Sequence, residues 1–302
     1  MDNKKVELLS PAGNLEKLKI AIKYGADAVY AGVSHFSLRI RAGKEFTFET
    51  FKEGIDYAHA RGKKVYATIN GFPFNSQIEL LKKHIETMAS LEPDGFIVAA
   101  PGVVKLCREI APQIDIHLST QANVLNYLDA QVFWDMGVTR IVVAREISLK
   151  DVIEIKKHLP DMEIEIFVHG SMCFAYSGRC LVSAVQMGRV PNRGSCANDC
   201  RFEYTLYAAN EDHGTLFRLE EEPGVGTYIF NSKDMNLASH IKEIMDSGAV
   251  DSLKIEGRTK SPYYAAVTAK AYRNAIDDYY DGKFDADKYQ RELYTTKNRG
   301  FT

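Results

Sequence analysis

Short apolar runs alternate with helix-length amphipathic segments along most of the chain, and this alternation constrains the fold more than any other feature. The runs are rich in Val and Ile and mostly continuous, which is typical of parallel strands buried on both faces. Eight strands with helical crossovers predict a (β/α)8 TIM-type barrel. A doubly wound open sheet is the alternative, but the G-x-G-x-x-G turn that usually accompanies it is absent. The eight runs begin at Val6, Asp27, Lys64, Gly95, Ile114, Arg140, Glu163 and Ser252.

One connection is much longer than the others. Roughly 80 residues separate the seventh strand from the eighth, and they predict an insertion at about residues 170–226 of a single barrel domain spanning residues 1–302. Two alternating runs around residues 212–214 predict a hairpin inside it. Since long insertions in barrels usually lie at the C-terminal ends of the strands, we expect this one to cover the active-site mouth.

The insertion holds four of the five cysteines, in the spacing C-x6-C-x15-C-x3-C. Four thiolates suit tetrahedral zinc or a [4Fe-4S] cluster. Only Cys196 and Cys200 are close enough in sequence for a zinc knuckle, so the spacing favours the cluster. A nucleophile that pairs Cys173 with His169, and a chance grouping of buried thiols, are the other interpretations. Cys107 falls on the apolar face of a predicted helix and is expected to pack in the core. The four clustered cysteines are Cys173, Cys180, Cys196 and Cys200.

Bulk properties favour a cytoplasmic protein with reduced thiols. No apolar run approaches the roughly 20 residues of a membrane helix, and the N-terminus has no signal-like apolar region. Clustered cysteines in the cytoplasm more often bind metal than pair with each other. The net charge of -2 gives no general attraction to nucleic acid. Between Cys173 and Arg201, however, the chain carries four arginines and one acidic residue, Asp199, and this local excess of positive charge predicts an anion-binding rim. The arginines are Arg179, Arg189, Arg193 and Arg201.

Polar residues that end or follow the barrel strands are expected to point into the mouth. Alternation along the last strand sends Lys254, Glu256 and Arg258 to one face, where three charges need partners or a ligand. Zinc-helix, nucleophile-elbow and phosphate-loop motifs of known hydrolases are absent. The remaining candidates for the mouth are Ser10, Arg39, Arg41, Asn70, His117, Ser119, Gln121, Asn123, Arg145, Glu146 and His169.

Several segments together resemble a known family. The stretch "EIFVHGSMCFAYSGRCLVS" resembles the signature of the collagenase-like peptidase U32 family. "ELLSPAG", "GADAVYAG", "HLSTQAN", "NSKD" and "SLKIEGRTKSPYYAAV" resemble its other blocks in the same order, so the resemblance covers nearly the whole chain. The most similar branch hydroxylates the wobble uridine of certain tRNAs to 5-hydroxyuridine. The peptidase label has no support in the motifs of this chain.

The resemblance implies an iron-sulfur enzyme that works without oxygen. It implies a [4Fe-4S] cluster on the four clustered cysteines and prephenate as co-substrate and hydroxyl source. Longer relatives continue past "RGFT" into a β-rich C-terminal domain, so tRNA binding is expected to need that domain or a partner subunit in a hetero- or homo-oligomer. The roles that we predict are catalysis for His169, Lys254 and Glu256, and substrate binding for Arg39, Arg41, Asn70, His117, Gln121, Arg145, Tyr176, Arg179 and Arg258.

Two rival hypotheses remain. The first is a peptidase with Cys173 or Ser171 as nucleophile, and the second is a non-catalytic RNA-binding module with structural zinc.

Overall fold

Eight parallel strands close into a barrel at the centre of the protein, which a computed structural model describes over residues 5–33, 36–38, 46–202, 204–209, 212, 214–219 and 233–301. The (β/α)8 prediction is confirmed: β1 to β7 pair in chain order, and β11 pairs with both β7 and β1 to close the sheet. The strands are β1 (Glu7–Pro11), β2 (Ala28–Ala31), β3 (Lys64–Ile69), β4 (Gly95–Val98), β5 (Asp115–Leu118), β6 (Arg140–Val142), β7 (Glu163–Ser171), β8 (Leu206–Ala209), β9 (Leu216–Leu219), β10 (Asp234–Asn236) and β11 (Ser252–Ile255).

Helices between the strands cover the outside of the barrel. Several begin at side-chain caps: Asn14 Oδ1 accepts from the backbone N–H of Lys17 at 2.9 Å, and Ser148 Oγ accepts from that of Asp151 at 3.2 Å. Within the described residues, no helix is long and apolar enough to cross a membrane. The helices are α1 (Leu15–Lys23), α2 (Phe48–His59), α3 (Ile78–Ser90), α4 (Pro101–Ile110), α5 (Tyr127–Asp135), α6 (Leu149–His158), α7 (Val182–Met187), α8 (Ile241–Asp246), α9 (Pro262–Tyr280) and α10 (Ala286–Leu293).

The apolar core has an outer and an inner part. The outer part lies between the strands and the surrounding helices and includes Cys107, which is buried in α4 as predicted. The inner part fills the barrel itself and is small, so polar side chains occupy much of the interior. The inner apolar residues are Leu9, Ala28, Tyr30, Tyr66 and Ile97.

The N-terminal end of the barrel is closed by a buried charge network. Arg140 is 3% exposed and lies within 2.5 Å of Glu7 Oε1 and 2.6 Å of Glu163 Oε2. Its Nη1 is also 3.1 Å from Glu165 Oε2. Tyr66 donates its hydroxyl to Glu7 Oε2 at 2.6 Å. Because every charge in the network has an opposite partner, the barrel tolerates these groups in its interior.

The long connection between β7 and β11 forms the predicted insertion. Its cysteine segment contains α7 and several single 3-10 turns, and β8 and β9 form the predicted antiparallel hairpin. The short strand β10 was not predicted; it pairs antiparallel with the end of β7, with Asp234 opposite Ser171 and Asn236 opposite His169.

Candidate functional site

A cavity of about 990 Å³, including the part open to solvent, lies at the C-terminal ends of the barrel strands. Barrel residues form its floor, and the insertion forms its roof, so the predicted position of the insertion over the mouth is confirmed. The lining includes Tyr30, Thr68, Asn70, Ile97, Ser119, Gln121, Arg145, Phe167, Lys254, Glu256 and Arg258 from the barrel, and Met172, Cys173, Phe174, Cys180, Cys196, Asn198, Cys200 and Arg201 from the insertion.

All four clustered cysteines open on this one cavity. Each thiol is free and half-buried. Burial raises the pKa of the Cys180 and Cys200 thiols above the ordinary value, and the neighbouring thiols act in the same direction. Among the residues that the structure describes, no group of three or more His, Cys, Asp or Glu side chains is placed to hold a single metal ion. The cysteines therefore share a space without converging on one point.

The cavity is cationic. Of the described residues that line it, Arg145, Arg201, Lys254 and Arg258 carry positive charge and Glu256 carries negative charge. Positive groups near thiols favour the thiolate, the form that binds metals, and they also attract carboxylates and phosphates.

Lys254 connects the cavity to the buried network below it. Its Nζ lies 2.6 Å from Glu165 Oε1, and Glu165 is 0% exposed. The same ammonium group lies 4.4 Å from the centre of the Tyr30 ring. Glu165 therefore bridges Lys254 at the cavity floor and Arg140 at the closed end of the barrel. The predicted inward direction of Lys254 is confirmed.

The guanidinium groups of Arg145 and Arg258 are held in place by the barrel. Arg145 lies over the Phe167 ring at 4.2 Å, with Nη2 3.8 Å from Glu256 Oε2. Arg258 donates from Nη1 to Ser37 Oγ at 2.9 Å and from Nη2 to the Leu38 carbonyl. Such side chains are pre-organised, so binding an anion costs them little conformational entropy.

Contacts to the barrel loops hold the insertion over the mouth. Arg179 Nε donates to the Gln121 carbonyl at 2.9 Å. Arg193 donates to Gln77 Oε1 at 2.7 Å, and its guanidinium lies over the Phe74 ring at 3.8 Å. Arg179 and Arg193, which the sequence suggested as parts of an anion rim, thus also have structural partners.

The polar residues predicted for the mouth are only partly brought together. Asn70 lines the cavity, although its Oδ1 accepts from the Leu38 backbone. Gln121 also lines the cavity, is buried, and has no partner for Oε1 in the described structure. Tyr176 is 50% exposed and lies outside the lining. Arg39 and Arg41 lie outside the described residues.

His169 does not line the cavity. It is 1% exposed and packs against the rings of Tyr264, Tyr272 and Phe301 on the outer side of the barrel. Burial lowers its pKa to about 3, so the ring is neutral near pH 7. A register shift between β7 and β11 ends the alternation just before this residue, so it does not follow Phe167 into the barrel. Its placement gives no support to the predicted catalytic role or to a Cys173–His169 nucleophile.

His117 points into the barrel but lies below the cavity. Its ring meets Tyr66 edge-on, with 4.4 Å between the centroids, and it lines a separate space near Arg140. Burial, with the charges of Arg140, Lys254 and Lys64, holds its pKa well below the ordinary value. The structure therefore does not bring His117 to the cavity at the barrel mouth.

Sequence reasoning missed two groups at the site. Glu165, the partner of Lys254, had a signal that was not used, because Glu163 and Glu165 alternate onto one face of β7. Thr68 lines the cavity with a small hydroxyl group, and nothing in the sequence distinguishes it from an ordinary core residue. Ser119, which was expected at the mouth, does line the cavity.

The fold and the cavity define the class of protein, which is a (β/α)8 barrel with its candidate site beneath a cysteine-bearing insertion. The model of peptidase family U32 matches residues 13–302, so the chain belongs to that family. It is 72% identical over 297 residues to tRNA hydroxylation protein P of Helicobacter pylori strain 26695, covering 98% of this chain and 70% of the relative.

A more distant relative and a solved structure are also similar to this chain over most of its length. The chain is 42% identical over 336 residues to tRNA hydroxylation protein P of Escherichia coli K12, covering 99% of this chain and 74% of the relative. The solved U32 peptidase Mk0906 matches with a TM-score of 0.54 at 17% identity, over 85% of this chain and 95% of that one. At that identity the likeness is one of fold alone.

Proposed function

We propose that this protein is an RNA-modifying enzyme that hydroxylates C5 of the wobble uridine in tRNA without oxygen, with prephenate as the hydroxyl source and a [4Fe-4S] cluster as cofactor. One observation carries the proposal: the four clustered cysteines and four cationic side chains open on the same cavity at the barrel mouth. The relatives named tRNA hydroxylation protein P support the RNA substrate. We expect the protein to act in the cytoplasm, where tRNA is found and thiols stay reduced.

The donor set fits the cluster. Cys173, Cys180, Cys196 and Cys200 would hold it, one thiolate for each iron, and such a group does not require the thiols to converge on one ion. When bound, the cluster would supply redox chemistry at the cavity. The cationic side chains around the thiols offset the negative charge of four thiolates.

The cationic floor of the cavity suits a dicarboxylate. The guanidinium groups of Arg145 and Arg258 present planar forks that bind carboxylates in bidentate fashion, and Lys254 adds a point charge beside them. Prephenate carries two carboxylates, so this set binds and orients it. The hydroxyl oxygens of Ser119 and Thr68 lie in the same lining and accept or donate further hydrogen bonds.

An exposed aromatic residue at the mouth, with a second exposed one near it in the sequence, suits a flipped nucleobase. Phe174 lines the cavity and is 51% exposed, and Tyr176 lies two residues further along at 50%. Bases taken out of their stack are commonly held between aromatic side chains. Among the described lining residues, Glu256 is the carboxylate that would take up a proton released from the base.

Nucleoside analysis of tRNA tests the proposed function. We expect the wild-type protein to restore 5-hydroxyuridine-type nucleosides in a bacterial host that lacks them, and only when the host makes prephenate. Cys180→Ala should abolish them, whereas Cys107→Ala should not, because that thiol is buried away from the cavity. Modification that survives Cys180→Ala would contradict the proposal.

The rival hypotheses require other results. A peptidase would cleave peptides as metal-free protein and lose cleavage when Cys173 or Ser171 alone is replaced. A structural-zinc module would contain zinc and no sulfide. Gel filtration with and without tRNA would show whether an additional domain or a partner subunit is needed for RNA binding.

A further inference from the structure

The loop between the first two cysteines is fixed by one carboxylate of the barrel. Ser177 lies between Cys173 and Cys180 and is fully buried. Its backbone N–H donates to Glu146 Oε1 at 2.7 Å, and its hydroxyl donates to Glu146 Oε2. Removing Glu146 would leave two buried donors without acceptors, which a folded protein rarely tolerates.

The same serine has an unfavourable backbone conformation. Its φ of 40° and ψ of 36° lie in the left-handed region, which a residue other than glycine adopts only where its surroundings hold it. The two hydrogen bonds to Glu146 supply that restraint. The loop therefore keeps its shape because the barrel imposes it, and the preference of its own sequence would not.

The restraint also reaches the substrate cavity. Ser177 Oγ accepts from the backbone N–H of Arg145 at 3.1 Å, and the side chain of Arg145 lines the cavity. One hydroxyl thus joins the cysteine loop to an anion-binding residue. A further attachment of the loop, from Arg179 to Gln121, involves neither Ser177 nor Glu146.

We propose that Glu146 is a positioning residue that holds the 173–180 loop in the conformation in which both thiols face the cavity. Its role toward the cofactor rests on the function proposed above, whereas its role in the loop does not. Glu146 is itself exposed at the surface, so it contributes through the loop rather than through contact with the reacting atoms.

Thiol labelling of the metal-free protein tests the proposal. Each cysteine is alkylated for timed intervals, and its modified fraction is measured by mass spectrometry. Glu146→Ala should label Cys173 and Cys180 about tenfold faster than wild type, the effect expected for losing a charge-assisted hydrogen bond. Cys107 in α4 should stay unchanged. Glu154→Ala is the matched control, because that glutamate pairs with Lys157 and His158 on its own helix.

A rescue variant distinguishes positioning from general stability. Glycine adopts left-handed φ without strain, so adding Ser177→Gly to Glu146→Ala should slow labelling back toward the wild-type rate. Glu146→Gln keeps the shape of the side chain and should give a smaller acceleration in the same direction. Unchanged labelling of Cys173 and Cys180 in Glu146→Ala, or equal acceleration at Cys107, would overturn the proposal.

Iron retention separates this inference from the proposed function. After anaerobic reconstitution with iron and sulfide, Glu146→Ala should lose iron to a chelator about tenfold faster than wild type. If wild-type protein binds no iron while the labelling result holds, the cofactor proposal fails and the positioning role of Glu146 in the loop stands. If iron loss is equal in both proteins, Glu146 has no role toward the cofactor.

Discussion

Replacing Glu165 tests the buried charge network under the cavity. Its carboxylate is 0% exposed and lies 2.6 Å from Lys254 Nζ and 3.1 Å from Arg140 Nη1. Glu165→Gln keeps the shape and leaves Lys254 as a buried cation beside a neutral amide. Breaking a buried pair from one side costs about 3–5 kcal/mol. Because Arg140 keeps Glu7 and Glu163, we expect the free energy of unfolding to fall by about 3 kcal/mol.

Urea unfolding measures this loss of stability, and an ion pair at the surface serves as the control. Lys288→Met breaks the Lys288–Asp278 contact of 2.5 Å, but the lysine side chain is 49% exposed, so its loss should stay below about 1 kcal/mol. In a double-mutant cycle, Lys254→Met with Glu165→Gln should cost less than the sum of the two single changes. A loss in Glu165→Gln no greater than that in Lys288→Met would refute the reasoning.

Two further predictions concern stability. Burial lowers the pKa of His169 to about 3 and that of His117 well below its ordinary 6.5, so below pH 6.5 the unfolded chain binds protons that the native protein does not. Stability should therefore fall with falling pH, by about 2 kcal/mol between pH 6.5 and 5 from His169, and the lowered pKa of His117 acts in the same direction. Urea unfolding at both pH values checks this. If the free energy of unfolding of His169→Gln falls as much between the two pH values as that of wild type, the prediction is contradicted. Gly170→Ala should cost more than about 2 kcal/mol, because φ is 114° and a Cβ would lie 2.3 Å from the Glu256 carbonyl oxygen. Gly248→Ala, at positive φ in open space, should cost about 1 kcal/mol, and thermal unfolding of both variants measures the difference.

The barrel was predictable because its signal is repeated. Each of the eight predicted runs overlaps an observed strand, since parallel strands buried on both faces need continuous apolar residues. The insertion and its hairpin were predictable from one long connection and one alternating pair. The strand β10 was not, because three residues, Asp234–Asn236, are too few to show a period and their pairing with β7 is a tertiary contact.

The direction of strand side chains was predictable only where the alternation is unbroken. Lys254 and Glu256 follow it into the cavity. His169 does not, because the register shift between β7 and β11 reverses its direction, and the apolar and polar pattern carries no mark of that shift. His117 does point inward, but its depth along the barrel axis depends on strand stagger, which a single sequence does not encode.

The metal content of anaerobically purified protein tests the central claim most directly. Iron, acid-labile sulfide and zinc are measured on the same sample of wild-type protein. The account predicts about four irons and four sulfides for each chain, with little zinc, and their loss in Cys180→Ala but not in Cys107→Ala. Stoichiometric zinc without sulfide, or iron and sulfide that persist in Cys180→Ala, would contradict it.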